Sequence, residues 1–403
     1  MGLIVQKFGG TSVANVECVE RVAGIIADTY HAGNNVVAVV SAQGDTTDDL
    51  IRKAKEINPK ASKREMDVLL STGEQISMSL LAMAIQKMDL PVVSLTGAQA
   101  GMRTDIAYGN AKIERIDTER LESEIGKGKI VIIAGFQGTN RYDDITTLGR
   151  GGSDTTAVAF AAALNADLCQ IYTDVDGVYT ADPRIVPDAK KLDEISYDEM
   201  LELASLGAQV LHNRSVEMAK RYSVDMEVLS SFQKAQGTKV KEVVGVEKML
   251  IRGVARDNHV ARIAIIGLPD RPGTVFQIFS RLGKAKINVD VILQSIGRDG
   301  TKDVSFTVDE SNTENAVSIL KEILPSLGGR SITHDSNIAK VSIVGAGMAT
   351  NPGVAAKMFE ALYQAGINIQ MISTSEIKVS VLIERDEADR AVKIVHNAFH
   401  FGS

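Results

Sequence analysis

The sequence predicts an α/β protein: a mostly parallel sheet sandwiched by helices, followed by two smaller βαββαβ modules. Three observations predict it. Short β-branched runs alternate with helical patterns over the first 230 residues. The pattern then changes across a Lys/Gly-containing stretch, Gln233 to Lys248, and beyond that stretch the chain repeats itself. At 403 residues it is too long for one ordinary core and suits two or three domains.

The strand candidates are Leu3-Ile4-Val5, Val36 to Val40, Val92-Val93, Ile130 to Ala134, Cys169 to Thr173 and Met226 to Leu229. Uninterrupted apolar runs of this kind suit strands buried on both faces. Between them lie helical patterns such as Val16, Val19, Val22, Ala23 and Ile26, ending near Gly33 as a C′ residue. Strand–helix alternation builds a parallel sheet with helices on both sides, and ligands then bind at loops leaving the strands' carboxyl ends.

In the second half Pro272-Gly273 recurs as Pro352-Gly353, an offset of 80 residues. The same offset carries Phe279 onto Phe359, Leu282 onto Leu362, and Ile287-Asn288-Val289 onto Ile367-Asn368-Ile369. The preceding strands match as well, Ile263 to Gly267 with Val341 to Gly345. Each unit reads strand, Pro-Gly loop, helix, strand, strand, helix, a βαββαβ module once one further strand is added. This many matches mean duplication. The expected boundaries are 1–235 for the first domain, 236–250 for a linker, 251–330 for the first module and 331–403 for the second.

Composition narrows the function classes. A hydrophobic fraction of 44% with 24% charged residues describes a soluble globular protein. A net charge of −7 argues against nucleic acid or an anionic membrane as a bulk electrostatic partner. No apolar run approaches the ~20 residues of a bilayer span, and no signal-peptide core precedes a cleavage site. Cys18 and Cys169, far apart in apolar patterns, read as buried and reduced, which fits cytoplasm. His396 and His400 stand four apart near the terminus and read as a frayed helix end rather than a metal site, so no protein-held metal is expected.

Two glycine-rich segments carry chemistry. Lys7 closes a strand and is followed by Gly9-Gly10-Thr11-Ser12 before a helix. Glycines let backbone approach a phosphate, a helix N-terminus offers free N–H groups, and a lysine there holds a phosphoryl group as a point charge. This is not a Walker loop, because GxxxxGK[ST] is absent. Gly149 to Asp154 leads into an Ala-rich helix, Thr155 to Leu164, which Ser153 or Asp154 can cap. Thr47 follows a strand and reads equally as an N-cap; Glu74 opens a helix and reads equally as a first-turn glutamate.

Lys7-Phe8-Gly9-Gly10-Thr11-Ser12, Thr72-Gly73-Glu74, Leu148 to Asp154 and Thr173 to Tyr179 together resemble the signature segments of the aspartate kinase family. The paired modules resemble its tandem, ferredoxin-like ACT domains. The resemblance covers essentially the whole chain, in the family's order. It implies an amino-acid-kinase fold and transfer of the γ-phosphoryl of ATP to the side-chain carboxylate of L-aspartate, giving 4-phospho-L-aspartate. It further implies Mg2+ carried by the nucleotide phosphates, a first step toward lysine, threonine and methionine, and feedback inhibition by lysine, threonine or both. The reaction class agrees with the residue inventory. A carboxylate acceptor titrates at about 3.9 and is already ionised, so it needs no general base.

Residue by residue, the resemblance makes Lys7 and Asp154 catalytic, Asp154 orienting Lys7 rather than acting as a base. It gives Thr47, Glu74, Arg150, Gly151, Gly152 and Ser153 to the substrate, with Arg150 gripping the α-carboxylate bidentately and Glu74 pairing with the ammonium. ATP receives Lys7, Phe8, Gly9, Gly10, Thr173, Asp174, Tyr179, Asp182 and Arg184: Asp174 near ribose, Tyr179 near adenine, Arg184 toward phosphates. Gln209 stands where many relatives have a second lysine, which removes a charge from the phosphate clamp. The effector residues implied in the first module are Asp270, Gly273, Thr274, Asn288, Asp290 and Gln294. Those in the second are Gly353, Val354, Asn368, Ile369 and Thr374. ACT pairing implies a homo-oligomer, and Met249 is the place where a separately made C-terminal regulatory subunit would start. The alternatives are a kinase for another amino-acid carboxylate such as glutamate, or a catalytically silent amino-acid sensor; intact Lys7, Arg150 and Asp154 argue against the latter.

Overall fold

In the computed structural model of the chain, residues 2–206, 210–242, 251–295, 300–349 and 351–399 are described. Gln209, Met249 and His400 lie outside them, as does most of the expected linker. The chain forms two compact units. The first holds residues through Tyr179, then Lys191–Ser205 and the described residues 210–242; the second holds Thr180–Lys190, Leu206 and the described residues from 251 on.

The first unit begins with β1 (Leu3–Phe8), α1 (Val16–His31), β2 (Asn35–Val40), α2 (Thr46–Ile57), α3 (Lys63–Gln86) and β3 (Val92–Leu95). A small sheet follows from β4 (Met102–Thr104) and β5 (Ile113–Ile116), then α4 (Glu119–Gly126), β6 (Ile130–Ala134), β7 (Gln137–Thr139) and β8 (Ile145–Thr147). The unit continues through α5 (Gly152–Ala163), β9 (Leu168–Thr173), β10 (Glu194–Ser196) and α6 (Tyr197–Ser205). It ends with α7 (Asn213–Tyr222), β11 (Met226–Ser230) and β12 (Thr238–Lys241). All six expected strands stand in one eight-stranded sheet of order β10-β12-β11-β9-β1-β2-β6-β3. Every pairing is parallel except β11 with β12.

Side chains alternate across β1. Phe8 enters the core cluster with Val22 and Ile26 of α1 and Leu81 and Ile85 of α3, all fully buried. Lys7 points to the opposite face, where α5 packs. Asn15 caps α1 by accepting the Cys18 N–H at 2.9 Å, and Gly33 at φ +88° follows its end as expected.

Helix α3 corrects the reading at Glu74. It is one continuous helix, capped where the Ser62 hydroxyl accepts the Glu65 N–H, so Glu74 lies in mid-helix rather than in a first turn. Gly73 is no break: a Cβ there would sit 2.8 Å from the Ala42 Cβ, so the glycine admits the β2–α2 loop against the helix. By length and composition α3 alone among the described residues is apolar enough to cross a membrane. It packs Met78, Leu81, Ala82 and Ile85 into the core cluster instead.

The second unit contains β13 (Gly253–Asp257), β14 (Val260–Pro269), α8 (Thr274–Lys284), β15 (Ile292–Gln294), β16 (Thr301–Asp309), α9 (Thr313–Leu327) and β17 (Ser331–Asp335). It continues with β18 (Ile338–Val344), α10 (Val354–Gln364), β19 (Met371–Thr374), β20 (Lys378–Glu384) and α11 (Ala388–Ala398). The two sheets have orders β15-β16-β14-β17 and β19-β20-β18-β13, the same arrangement twice. Gly273 and Gly353 cap α8 and α10 in matching left-handed conformations, φ +91° and +96°. The expected cut at 330/331 does not follow the strands. β17 pairs with β14 in the first module, and β13 pairs with β18 to complete the second; among the described residues no strand follows α11.

Thr180–Lys190 belongs to this unit. Ala181 and Val186 are buried in one cluster with Val254, Val341, Met358 and Val392. The Val254 N–H donates to the Thr180 carbonyl at 2.8 Å, and Thr180 Oγ1 lies 2.9 Å from His396 Nε2. His396 is therefore a buried, hydrogen-bonded helix residue and not a frayed end.

Candidate active site

The site forms where β1, β2 and α5 converge at the carboxyl edge of the sheet. Lys7 Nζ lies 2.6 Å from Asp154 Oδ1, each side chain about a tenth exposed. Asp154 sits in the first turn of α5, which starts at Gly152, earlier than the expected Thr155. Neither Ser153 nor Asp154 caps that helix: Gly151 holds the cap position at φ +65°, and Asp154 is committed to Lys7. A Cβ at Gly151 would lie 2.1 Å from the His212 ring, so both conformation and space demand glycine there.

A cavity of about 330 Å³ opens between these groups. Lys7, Gly10, Thr47, Glu74 and the Gly149–Asp154 turn all line it. The structure thus gathers Lys7 with the whole expected substrate set around one gap. Thr47 stands in the first turn of α2 rather than at its cap. Arg150 is exposed at the rim and makes no ion pair among the described residues. A larger depression along α2, lined by Asp48, Ile51, Arg52, Lys55 and Glu56, holds solvated charges and no convergent constellation.

Glu74 is 3% exposed. Its Oε1 accepts the Ala42 N–H at 3.2 Å, while Oε2 has no hydrogen-bond partner. Burial pushes its carboxyl up to about 7, against the pull of that backbone bond. A buried carboxylate oxygen left open beside a cavity is a receptor for a cation.

The nucleotide set is dispersed. Gly9 donates its N–H to the Tyr172 carbonyl, and Gly10 approaches the Ala42 carbonyl so closely that a Cβ would stand 2.8 Å from it. Phe8 has no free role: its ring is fully buried, stacked on Tyr172 at 4.8 Å, and its carbonyl accepts the Ser41 N–H. Thr173 ends β9, and its hydroxyl donates to the exposed Asp174. The Tyr179 hydroxyl donates to Asp176 at 2.7 Å, and burial pushes it up to about 12. Asp182 and Arg184 pair with each other in the segment that folds with the second unit.

In the second unit, Asp270 pairs with Lys302 at 2.7 Å and Asp290 with the buried Lys340 at 2.5 Å. The Thr274 hydroxyl donates to the Arg271 carbonyl. Asn288, Gln294, Asn368 and Thr374 are exposed, Ile369 is half-buried and Val354 is buried.

Three residues of the first unit escaped the sequence reading. Asp67, two turns before Glu74 on the same face of α3, is 1% exposed and accepts the Gly109 N–H, the Thr147 N–H and the Thr147 hydroxyl. It ties α3 to the strand that leads into the Gly149 turn. His212 and Arg214 open α7 against that turn. No sequence signal pointed to them, because the expected helix began at Glu74 and left Asp67 outside it.

A parallel sheet with a lysine at the end of its first central strand, facing a glycine-initiated helix, makes the first unit an amino acid kinase domain. The amino acid kinase family profile matches residues 2–230, and ACT domain profiles match 262–325 and 341–399. Aspartokinase 2 of Bacillus subtilis (strain 168) is 52% identical over 400 residues, covering 99% of this chain and 98% of that protein. The crystal structure of E. coli aspartokinase III in complex with aspartate and ADP (R-state) has a TM-score of 0.82 at 28% identity. It covers 98% of this chain and 99% of its own. The same enzyme in complex with lysine and aspartate (T-state) has a TM-score of 0.75 at 28% identity, covering 99% of each chain. This chain belongs to the aspartokinase family, ATP-dependent kinases acting on a carboxylate.

Proposed function

We propose that the chain transfers the γ-phosphoryl of ATP to the side-chain carboxylate of L-aspartate, giving 4-phospho-L-aspartate. The observation that carries this is the Lys7–Asp154 pair facing the open Glu74 oxygen across one cavity. Glu74 takes the substrate ammonium and Arg150 its α-carboxylate, with Thr47, Gly151, Gly152 and Ser153 completing the cradle. The acceptor carboxylate is ionised at neutral pH, so the protein has only to position it in line and neutralise charge on the phosphoryl. Lys7 supplies that charge, Asp154 fixes its ammonium, and the α5 N-terminus adds positive potential.

Gly9, Gly10, Thr173, Asp174 and Tyr179 hold the nucleotide. Among the described residues no group of three or more metal-binding side chains converges. We assign the Mg2+ of the reaction to the nucleotide's phosphates, where it would shield their charge. Hydroxamate trapping of the acyl phosphate tests the acceptor: aspartate gives product and glutamate does not, and the reverse result overturns the assignment.

The second unit senses lysine, threonine or both, through Asp270, Asp290 and the glycine-capped starts of α8 and α10. The lysine-bound E. coli relative supports this reading. The coupling to catalysis is about 1–3 kcal/mol; an unchanged rate at saturating lysine and threonine, alone and together, removes it. Ile292 and Leu293, 48% and 40% exposed on the edge strand β15, support pairing of the modules into a homo-oligomer. The reaction belongs to the route to lysine, threonine and methionine, and two buried, unpaired cysteines support a cytoplasmic site of action.

A further inference from the structure

The Gly149–Gly152 turn presents Arg150 and starts α5, yet three of its four residues are glycines with little stiffness of their own. Gly149 and Gly151 both adopt left-handed conformations, φ +80° and +65°. Something outside the turn has to hold it. Its entry residue is fixed on both sides: the Leu148 N–H donates to the Phe136 carbonyl at 2.8 Å, and the Leu148 carbonyl accepts Arg214 Nη1 at 2.9 Å. The other arm of the guanidinium, Nη2, donates to the Ala111 carbonyl at 2.8 Å, and the Ala111 N–H returns to the Thr147 carbonyl. Across the turn, the ring of His212 covers Gly151.

Arg214 is half-buried and makes no ion pair with a carboxylate among the described residues. Burial lowers its affinity for its proton, with Asp105 and Glu217 opposing this from a distance. A charge spent on two neutral carbonyls is a costly way to anchor a helix, and a neutral donor would serve that purpose. What the planar fork provides is two parallel donors at fixed spacing, locking the 111 turn and the 148 turn to one another.

We infer that Arg214 is a positioning residue for the acceptor amino acid. It sets the direction in which Arg150 and the α5 start face the substrate, and it touches neither substrate nor nucleotide. The inference rests on the reading that Arg150 binds the acceptor.

The test is steady-state kinetics of Arg214→Ala, Arg214→Lys and, in parallel, Arg150→Met in the full chain, with thermal unfolding of each. The expected result for Arg214→Ala is a rise of about 10- to 100-fold in KM for aspartate, with KM for ATP within about two-fold, as for losing one or two charge-assisted bonds to a rigid turn. Added guanidinium ion restores much of the aspartate KM, which a merely destabilised fold would not do. Arg214→Lys, whose single ammonium cannot bridge both carbonyls, falls between. A folded Arg214→Ala protein with unchanged KM for aspartate, or with both KM values raised together, overturns the inference. If Arg214→Ala does not fold, Arg214→Lys decides: a KM for aspartate raised about three-fold or more supports it, and an unchanged one overturns it. Arg150→Met with an unchanged aspartate KM would fault the acceptor reading itself, separately from Arg214.

Discussion

Glu74→Gln is expected to make the ligand-free protein more stable and the enzyme worse. Burial raises this carboxyl from 4.5 to about 7, so the native state holds the proton more tightly than the unfolded chain. The stabilising contribution of the protonated group is complete below about pH 4.5 and lost as pH rises through about 7. At pH 8 the ionised group costs up to about 3 kcal/mol, since each tenfold change in proton affinity is worth about 1.4 kcal/mol. Glutamine keeps the acceptor for the Ala42 N–H and discards the charge.

Denaturant unfolding of the first unit should therefore show the variant more stable than the parent at about pH 8, with the difference vanishing near pH 5. In the enzyme the same change removes the partner of the substrate ammonium. Truncating one side of a buried charge pair costs about 2–5 kcal/mol, so KM for aspartate should rise about 30-fold or more. In the parent, KM for aspartate should climb as pH falls through about 7. A variant less stable than the parent at that alkaline pH, or one with an unaltered aspartate KM, refutes the argument.

Lys7→Ala and Asp154→Asn should each lower kcat by about 100-fold or more while leaving far-UV circular dichroism unchanged, since both side chains face the cavity rather than the core. Gly151→Ala has neither the conformation nor the space it needs; about 2 kcal/mol or more of lost stability is expected in denaturant titration, along with lost aspartate binding. In the second unit, Asp290→Ala leaves the buried Lys340 ammonium without its half-exposed partner and should destabilise by about 1–3 kcal/mol. Lys340→Met should cost much less, and equal losses in calorimetry would argue against the buried pair.

The parallel strands could be read in advance because each is buried on both faces and writes that burial as an unbroken apolar run. The module repeat was equally legible, down to the paired glycine caps. Glu74 was placed at a helix start, whereas α3 begins at Lys63 and Gly73 inside it answers to Ala42, a residue 31 positions earlier. The strand exchange of β13 and β17 was hidden because nothing local in the sequence says which strand completes which sheet. Asp67 and Arg214 act through backbone groups distant in sequence, so they form no motif. Phe8 sits inside a signature segment, and the signature alone does not separate its packing role from contact with a ligand.

The eleven-residue excursion from Thr180 to Lys190 bears on how the polypeptide can be divided. A regulatory fragment starting near Met249 would leave behind the apolar plug of Ala181 and Val186, the acceptor for the Val254 amide and the hydroxyl that meets His396. Scission at that methionine would therefore expose a wound in the fragment's β-sheet edge, to be healed by the kinase polypeptide that still carries the missing piece. Physical separation and functional independence are different things for this half of the molecule.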